Sequence, residues 1–567
     1  MIKNAIVVSS KSAFFNLEMD TSNSDIYADN HPLFAELNET KNNVLYLYEK
    51  DIYQNKKIDI RNLWSFFHSW YRSDNGSDKT VINGISIGQC LNRRAFFSFT
   101  ADIKNFYALK KLSCNYQTIY VDDKCSQSIK RLSKIFNITW YKSMGNVSFE
   151  STPERGNYYD HPSIHPLSNI ARIIQFPFRF FLKRKKILYF RDWTSISLAK
   201  KRTDTLVENS LNFFKGFYFK YNKKAFERYS NVFPEEFDYF SISFESLKAL
   251  SIKTDNNFDD DLIKHFIRTI ETDYQTNRKR YMRTLSIYDE LFSYYKPRKI
   301  ILSGENEFHN IICYNLARAR GIVSYLLIDG YQSMENGFNL FRDENNKKFV
   351  FEKYIAQGLA DRDLMISLGM SETDIVSISP PIIELYKEQR NKNLELDKSI
   401  MIMEYLPNFT NPLSSFDAGF EIEVEIIVNL IKLGYDDFCI KVKKGRWPTN
   451  KTEEKYYKRI KFFTEAVVKV RIVDEFLYDH INSALFCIGQ ISTANIEAIW
   501  NDVPYYIYEP YENGHDDLFF NSSKIYSSES VSKNIEELTT NIQNKYQSIN
   551  VSKEYIFDGR SFAYIDL

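Results

Sequence analysis

The sequence predicts an α/β protein with mostly parallel sheets. Three observations carry that prediction. Short apolar, β-branched runs alternate with longer helical patterns. Two helical patterns stop at glycines, Gly321 and Gly369, where a helix C-cap is expected. The composition is that of an ordinary globular chain, 44% hydrophobic and 26% charged, which is too apolar for a disordered one. At 567 residues the chain has room for about three or four domain-sized units.

Taken in order, Ala5–Val8 reads as a first strand ending in Ser9 and Ser10, and Val44–Tyr48 as another. Thr118–Val121, a helical stretch near Gln127–Phe136, and Ile138–Trp140 form a strand–helix–strand unit. Lys186–Phe190 is a strand that runs into Arg191 and Asp192. The segment from about 203 to 295 reads as mostly helical, charged and aromatic, closing on a clear helical pattern near Asp260–Tyr295. Lys299–Ser303 is a strand, Ile311–Ala319 a helix, and Val323–Ile328 the next strand, ending at Asp329. Tyr354–Ala356, Asp361–Leu368 and Ile375–Ser379 continue the alternation to Pro380 and Pro381. A double proline continues neither a ladder nor a helix, and a charged, apolar-poor stretch follows it. The linker is therefore placed at 381–398, closing an N-terminal unit at 1–380.

From 399 to 532 the spacing is regular. Strands are expected at Ile400–Tyr405, Phe438–Val442, Val468–Val473, Leu485–Ile488 and Tyr505–Tyr508. Helices are expected near Phe420–Leu433, Glu453–Ala466, Glu475–Asn482 and Ala494–Trp500. Five strands with four crossovers make a Rossmann-like sheet. The tail, 533–567, reads as a helix at 533–550 that packs back across the linker, followed by the chain end.

Charge and composition exclude some functions. The chain has 74 Lys+Arg against 73 Asp+Glu, so it lacks the basic excess of a dedicated nucleic-acid binder. Its 18 glycines argue against a repeated Gly-rich phosphate loop. The six cysteines are scattered with no CxxC pair, giving no zinc spacing and fitting a reduced cytoplasmic setting. The apolar run at Ala5–Val8 is too short for a signal peptide, and no stretch is long enough for a membrane span.

The strongest chemical constellation is GQISTANIEAIWNDVPYYIYE, Gly489–Glu509. A strand runs into a turn, Ser492 and Thr493 open a helix, and Glu497 lies one turn in. Free N–H groups and two hydroxyls at the carboxyl end of a parallel sheet suit an anion. The alternative is that Ser492 only caps the helix. The order of features resembles the S-T/S-x-x-x-E-A…G-x-P segment of the nucleotide-sugar domain in GT-B glycosyltransferases, with Asn501-Asp502-Val503 where a glycine is usual. That resemblance implies that Ser492, Thr493, Gln490 and the helix start hold the donor's phosphate, and that Glu497 holds the ribose or neighbouring groups.

A second stretch, KYIAQGLADRDLMISLGMSETDIVSISPP (Lys353–Pro381), resembles the segment that closes the N-terminal domain of GT-B enzymes. The capsule-polysaccharide, CDP-glycerol transferase and UDP-GlcNAc epimerase branches show it. Here Ser379-Pro380-Pro381 replaces Gly-x-Pro. Third, the strand Phe438–Val442 is followed by Lys443, Lys444, Gly445 and Arg446. Transferases that use CMP-activated acidic sugars often carry a His-Pro-Lys type motif there. This chain lacks the His-Pro but offers Lys441, Lys443, Lys444 and Arg446 to neutralise phosphate, or simply a solvated basic loop. The turn-rich loop Glu404–Ser415 is a further rim element.

In the N-terminal unit the acids at strand ends carry the expectation. Glu305 and His309 follow KIILSG, Asp329 follows YLLI, and Asp192 follows ILYF. Sugar transfer needs a carboxylate or imidazole near the acceptor hydroxyl or the anomeric carbon. The SGEN…ARARGI…DG pattern resembles the same capsule-polysaccharide group, which implies base, nucleophile or acceptor-contact roles for these acids, with Glu305 first; capping or surface roles are the alternative. His480 reads as structural and His515 as a crevice residue. Asp259, Asp260 and Asp261 read as an acidic helix start, and no resident cofactor or metal is expected.

Together these features read as a GT-B glycosyltransferase with two Rossmann-like domains facing each other across a cleft and an enlarged N-terminal domain. The donor is a nucleotide sugar, with a CMP-activated acid such as Kdo or a nonulosonic acid as one form. The acceptor is a capsule or lipopolysaccharide glycan, or a lipid-linked one. A CDP-polyol phosphotransferase and a non-catalytic scaffold are the competing readings. Arg172–Lys186 (RIIQFPFRFFLKRKK) has six basic residues and no acid, which suits peripheral contact with the inner face of an anionic membrane, or alternatively a buried element with a solvated basic end.

Overall fold

The computed structural model describes residues 60–141, 243–302, 308–327, 351–380, 398–405, 416–442, 453–474, 480–509 and 528–547 with few gaps, and shorter stretches at 4–9, 21–28, 44–47, 187–190, 205–208, 342–343, 348–349 and 552–557. Three parallel sheets organise it. The first joins β1 (Asn4–Val8), β2 (Ser24–Ala28) and β3 (Val44–Tyr46) to β6 (Thr118–Asp122) and β7 (Ile138–Tyr141), in the order β3-β2-β1-β6-β7. A small hairpin, β4 (Val81–Ile82) and β5 (Ile85–Ser86), precedes a long helix.

The second sheet has β8 (Ile187–Phe190), β9 (Thr205–Glu208), β10 (Lys299–Leu302) and β11 (Val323–Leu326). After a second hairpin, β12 (Arg342–Asp343) and β13 (Lys348–Phe349), it adds β14 (Lys353–Gln357) and β15 (Ile375–Ile378). Its order is β15-β14-β11-β10-β8-β9. The third runs β18 (Lys469–Val473), β17 (Asp437–Lys441), β16 (Ser399–Met403), β19 (Ala484–Gly489), β20 (Tyr505–Tyr508), β21 (Val531–Ser532). In chain order this third sheet is 3-2-1-4-5-6, the Rossmann order.

The helices are α1 (Ile60–Ser69), α2 (Ile87–Asn115), α3 (Gln127–Leu132), α4 (Phe244–Lys253), α5 (Asp260–Tyr295), α6 (Phe308–Ala319), α7 (Leu359–Ser367), α8 (Phe416–Lys432), α9 (Glu453–Phe463), α10 (Ala494–Trp500), α11 (Ile535–Gln543) and α12 (Lys553–Phe557). Their ends follow local chemistry. Ser86 caps α2 by accepting the Gln89 N–H. Asp259, Asp260 and Asp261 open α5, as expected, placing negative charge on its N-terminal turn. Gly321 and Gly369 follow α6 and α7 with φ of +65° and +95°, the left-handed conformation that glycine adopts without strain.

The aromatic richness of the chain has a structural address. Phe66, Phe67, Phe96, Phe99, Phe258 and Phe266 interlock edge to face where α1, α2 and α5 meet, with Phe99 and Phe266 centroids 4.8 Å apart. This layer belongs to a core that also takes in Ala5 and Val7 of the first sheet and Leu188, Ile300 and Leu302 of the second. The N-terminal enlargement is thus a whole additional sheet fused to its neighbour through shared helices.

In the third sheet the strand alternation sorts the core. Ile400 and Ile402 of β16 pack with α8, α9 and α11, while Met401 and Met403 face α10 and α12. The second of these clusters includes Ala360 of α7 and Ile383, so it crosses the linker. Tyr555 Oη of α12 donates to Asp363 Oδ2 at 3.0 Å.

The structure corrects several expectations. Within 203–295 the chain first forms an edge strand, β9. The expected helix at Glu475–Asn482 is replaced, in its described part, by 3-10 structure at Leu477 and a 3-10 turn at Ile481–Ser483, so His480 precedes that turn rather than lying on an α-helix. The crossing element of the tail is α12; α11 stays on its own sheet through Leu538 and Ile542. Strands β2, β9 and β21 and helices α1 and α2 are additions to the elements expected. Arg172–Lys186 and 384–397 lie outside the described residues.

Candidate functional site

All three sheets are doubly wound, and each has one point where the chain direction reverses. In the third sheet it lies between β16 and β19, which pair in parallel through Ile400↔Phe486, Met401↔Cys487 and Ile402↔Ile488. Ligands of such sheets bind at the carboxyl ends of the strands beside this point. The residues there are Glu404 and Tyr405 after β16, Lys441 at the end of β17, Asp474 after β18, and Gly489 with Gln490, Ile491 and Ser492 after β19.

Lys441 is the charge at the centre of this group. Burial pushes its ammonium below the usual lysine range, while the fields of Glu497, Glu404 and Asp474 act in the opposite direction. Its Nζ donates to the Val442 carbonyl. Glu404 is 8% exposed. The Lys441 ammonium can meet a phosphate, and the carboxylates whose fields reach it can accept hydrogen bonds from hydroxyls.

The turn after β19 is held from behind. Gly489 has no room for a side chain: a Cβ there would meet Tyr505 Oη at 2.4 Å and Met403 Cβ at 2.7 Å. Tyr505 Oη donates to the Gln490 carbonyl at 3.1 Å. The Ile491 N–H goes to the buried carboxylate of Glu509 at 2.9 Å. The Ser492 N–H goes to Asn495 Oδ1 at 2.7 Å. Two N–H groups that the sequence reading offered to an anion are therefore engaged by side chains, and α10 has only seven residues. The amide nitrogen of Asn495, a fully buried residue, makes no hydrogen bond among the described residues.

Of the expected phosphate-side residues, the structure brings Lys441, Glu497, Gln490 and Ser492 to one edge. Thr493, Lys443, Lys444 and Arg446 lie outside the described residues, as do Asp192, Glu305, Asp329 and His515. His309 falls in α6, but its side chain is likewise outside them. The strands that precede the three acids are described. β8, β10 and β11 are adjacent and parallel, with Leu302 opposite both Phe190 and Leu326. Asp192, Glu305 and Asp329 follow these three neighbouring strands in sequence, and the second sheet reverses direction between β8 and β10.

Sequence reasoning gave no role to Glu404, Asp474, Glu509 or Asn495, although Glu404 opens the rim loop it named and Asn495 and Glu509 lie in the Gly489–Glu509 stretch. The signal for three of them was present. Each acid directly follows an apolar strand, in SIMIM-E, KVRIV-D and YYIY-E, the same rule that singled out Asp192 and Asp329.

The first sheet has a comparable point between β1 and β6. There the Ser9 hydroxyl donates to the buried Asp122 carboxylate. Away from these edges, Asp102 is fully buried and accepts from Ser128 Oγ at 2.6 Å, Arg131 Nη2 at 2.7 Å and His265 Nε2 at 2.7 Å. This cluster ties α2, α3 and α5 together.

No family model matches the sequence, and no curated protein matches it. Among solved structures, the chain is similar to an S. aureus MnaA–UDP co-structure, at 10% identity over 66% of this chain and 92% of that one, with a TM-score of 0.38. It is also similar to the UDP-GlcNAc 2-epimerase of Neisseria meningitidis bound to UDP-GlcNAc, at 10% identity over 65% and 95%, TM-score 0.36. The Rickettsia bellii UDP-N-acetylglucosamine 2-epimerase is similar at 12% identity over 67% and 92%, TM-score 0.35. By its own topology the chain has the GT-B-like layout: Rossmann-like parallel sheets on either side of a linker, with a C-terminal helix packed back across it.

Proposed function

We propose that this chain is a glycosyltransferase that moves a sugar from a nucleotide donor to a surface glycan or lipid-linked acceptor. The observation that carries the proposal is the edge of the third sheet, where Lys441, Glu404, Glu497 and Asp474 converge beside the Gly489–Ser492 turn. The donor is a nucleotide sugar, and a CMP-activated acidic sugar is the preferred form. Lys441, with Lys443, Lys444 and Arg446, neutralises the donor phosphate and stabilises the leaving nucleotide. Ser492, Thr493 and Gln490 add hydroxyl and amide contacts, and Glu497 accepts from the ribose. Glu305 acts from the N-terminal side, as base toward the acceptor or as nucleophile, with Asp192, His309 and Asp329 beside the reacting groups. The reaction uses no metal, and the enzyme works on the cytoplasmic side of a membrane.

A thermal-shift panel of CMP, CDP, UDP and GDP tests the donor. A nucleotide that binds only the native state raises its stability by mass action. Stabilisation by cytidine nucleotides is expected; stabilisation by UDP or GDP alone overturns the CMP preference. No response to any nucleotide overturns the enzyme reading in favour of a scaffold. Glu305→Ala is expected to bind nucleotide and lose transfer.

A further inference from the structure

The end of α9 is built unlike the other surfaces of the third sheet. The helix buries Tyr456 and Ile460 against the core. Its remaining large apolar side chains point outward. Phe462 and Phe463 are 68% and 51% exposed, and Val467, four residues on, is 94% exposed. The two rings pack edge to face on each other, centroids 5.1 Å apart. An exposed apolar ridge of this kind on a folded domain marks an interaction surface.

Its charge selects the partner. Lys455–Phe463 (KYYKRIKFF) carries four cations and no acid. Arg459 lies 5.4 and 5.0 Å from the centroids of Phe462 and Phe463 and pairs with Glu421. Lys458 and Lys461 are exposed beside them. Lys458 pairs with Glu454 in an exposed ion pair, which holds it weakly. The nearest acid in sequence is Glu465, exposed between Phe463 and Val467; Glu453 and Glu454 stand about 12 Å back along the helix, at its first turn. Exposed aromatic side chains with lysines beside them match an anionic lipid headgroup layer, where rings enter the interface and ammonium groups meet phosphate.

We propose that Phe462, Phe463 and Val467, flanked by Lys458 and Lys461, form a docking tip for an anionic membrane surface, separate from the basic segment at 172–186. The topology gives the docked orientation. α9 returns between the parallel strands β17 and β18, so its carboxyl end lies at the amino edge of the sheet. Lys441 and Gln490 lie at the opposite, carboxyl edge. A molecule resting on this tip therefore keeps its nucleotide edge turned to water.

Co-sedimentation of the full chain tests this, using vesicles of phosphatidylcholine alone and of phosphatidylcholine with phosphatidylglycerol. Binding is expected only to the anionic vesicles, and it should weaken with salt. Phe462→Ser/Phe463→Ser and Lys458→Glu/Lys461→Glu are each expected to lower binding by about tenfold or more, with an unchanged melting midpoint. If the double serine variant melts early, Val467→Asp replaces it. Binding that survives these changes overturns the proposal, as does binding lost only when the cations of 172–186 are replaced. Concentration-dependent dimerisation lost in the serine variant, with no vesicle binding by the parent, makes the tip a self-association surface instead and equally overturns it. None of these readouts depends on the donor reading.

Discussion

Gly419→Ala is expected to damage the third sheet and its proposed nucleotide edge together. Gly419 sits in the first turn of α8, and a Cβ there would lie 2.1 Å from the Tyr405 carbonyl oxygen and 3.0 Å from its carbonyl carbon. The obstacle is backbone, so no side chain can swing aside. Restoring ordinary contact requires α8 to withdraw by about 1 Å. One turn on, Glu423 accepts the Tyr405 N–H at 2.9 Å and the Tyr456 hydroxyl, and it is fully buried. Withdrawal stretches both bonds. Overpacking costs about 1–3 kcal/mol, and a weakened hydrogen bond to a buried carboxylate about 1.5–3 kcal/mol, so a total near 3–5 kcal/mol is expected. In a unit of this size that lowers the melting midpoint by about 6 °C or more. Gly434→Ala is the control: its φ is +90° with nothing within 4 Å of the added methyl, so only the backbone preference is lost, about 1 kcal/mol. Differential scanning fluorimetry with and without nucleotide reads both effects. A Gly419→Ala midpoint within a degree of the parent, or no larger loss than Gly434→Ala, would refute the packing argument.

Lys441→Met is expected to weaken nucleotide binding by about tenfold or more through loss of a phosphate-side charge, measured by calorimetry on the full chain. Burial alone would raise the Asp102 pKa, but its bonds to His265, Arg131 and Ser128 outweigh that and hold it below the usual carboxylate value. A depressed folded pKa stabilises above the unfolded value, about 3.9, and that stabilisation fades as pH falls through the folded one. Asp102→Asn should therefore lose about 3 kcal/mol at neutral pH and show a flatter acid limb, read from melting midpoints across pH 3–7. Ile556→Asp puts a charge into the cluster that joins α12 to Ala360; two separated thermal transitions in place of a coupled one are expected, and an unchanged melting profile counts against α12 as the tie.

The third sheet was legible because its strands are short apolar runs bounded by turn residues, and both α10 and β20 fall where the pattern puts them. The helix expected between β18 and β19, in place of which the described residues show 3-10 structure, marks where pattern ends and geometry begins. EFLYDHIN has helical spacing, but β19 lies three positions from β18, about 14 Å sideways and about 17 Å back along the strands. Ten residues coiled as a helix reach only about 15 Å, too short for one regular α-helix to make the connection. The long helix α2 escaped for a different reason. It lies between two sheets, with Cys90, Leu91, Ala95, Phe96, Phe99, Ile103, Phe106, Leu109 and Leu112 all buried, so no single polar face marks its period. At the site, the turn after β19 was visible as a local motif. The hold of Glu509 and Asn495 on its N–H groups was not, because the Glu509 bond spans 18 residues and Asn495 reads locally as one more helical residue.

The packing sets how the parts can move. The first and second sheets share one continuous core through α1, α2 and α5, so displacing one from the other would open a large apolar interior. Among the described residues, the second and third are tied more lightly, through Ala360, Ile383 and the five-residue α12. Relative motion concentrates where little apolar surface must be exposed. The junction between α7 and α12 is therefore the favoured hinge. The proposed phosphate residues, Lys441 foremost, lie on one side of it and the proposed acids after β8, β10 and β11 on the other. On this arrangement nucleotide affinity is a property of the third sheet alone, whereas transfer depends on both bodies meeting. Changes at the hinge should then lower turnover while leaving nucleotide affinity nearly intact, the reverse of changes at Lys441.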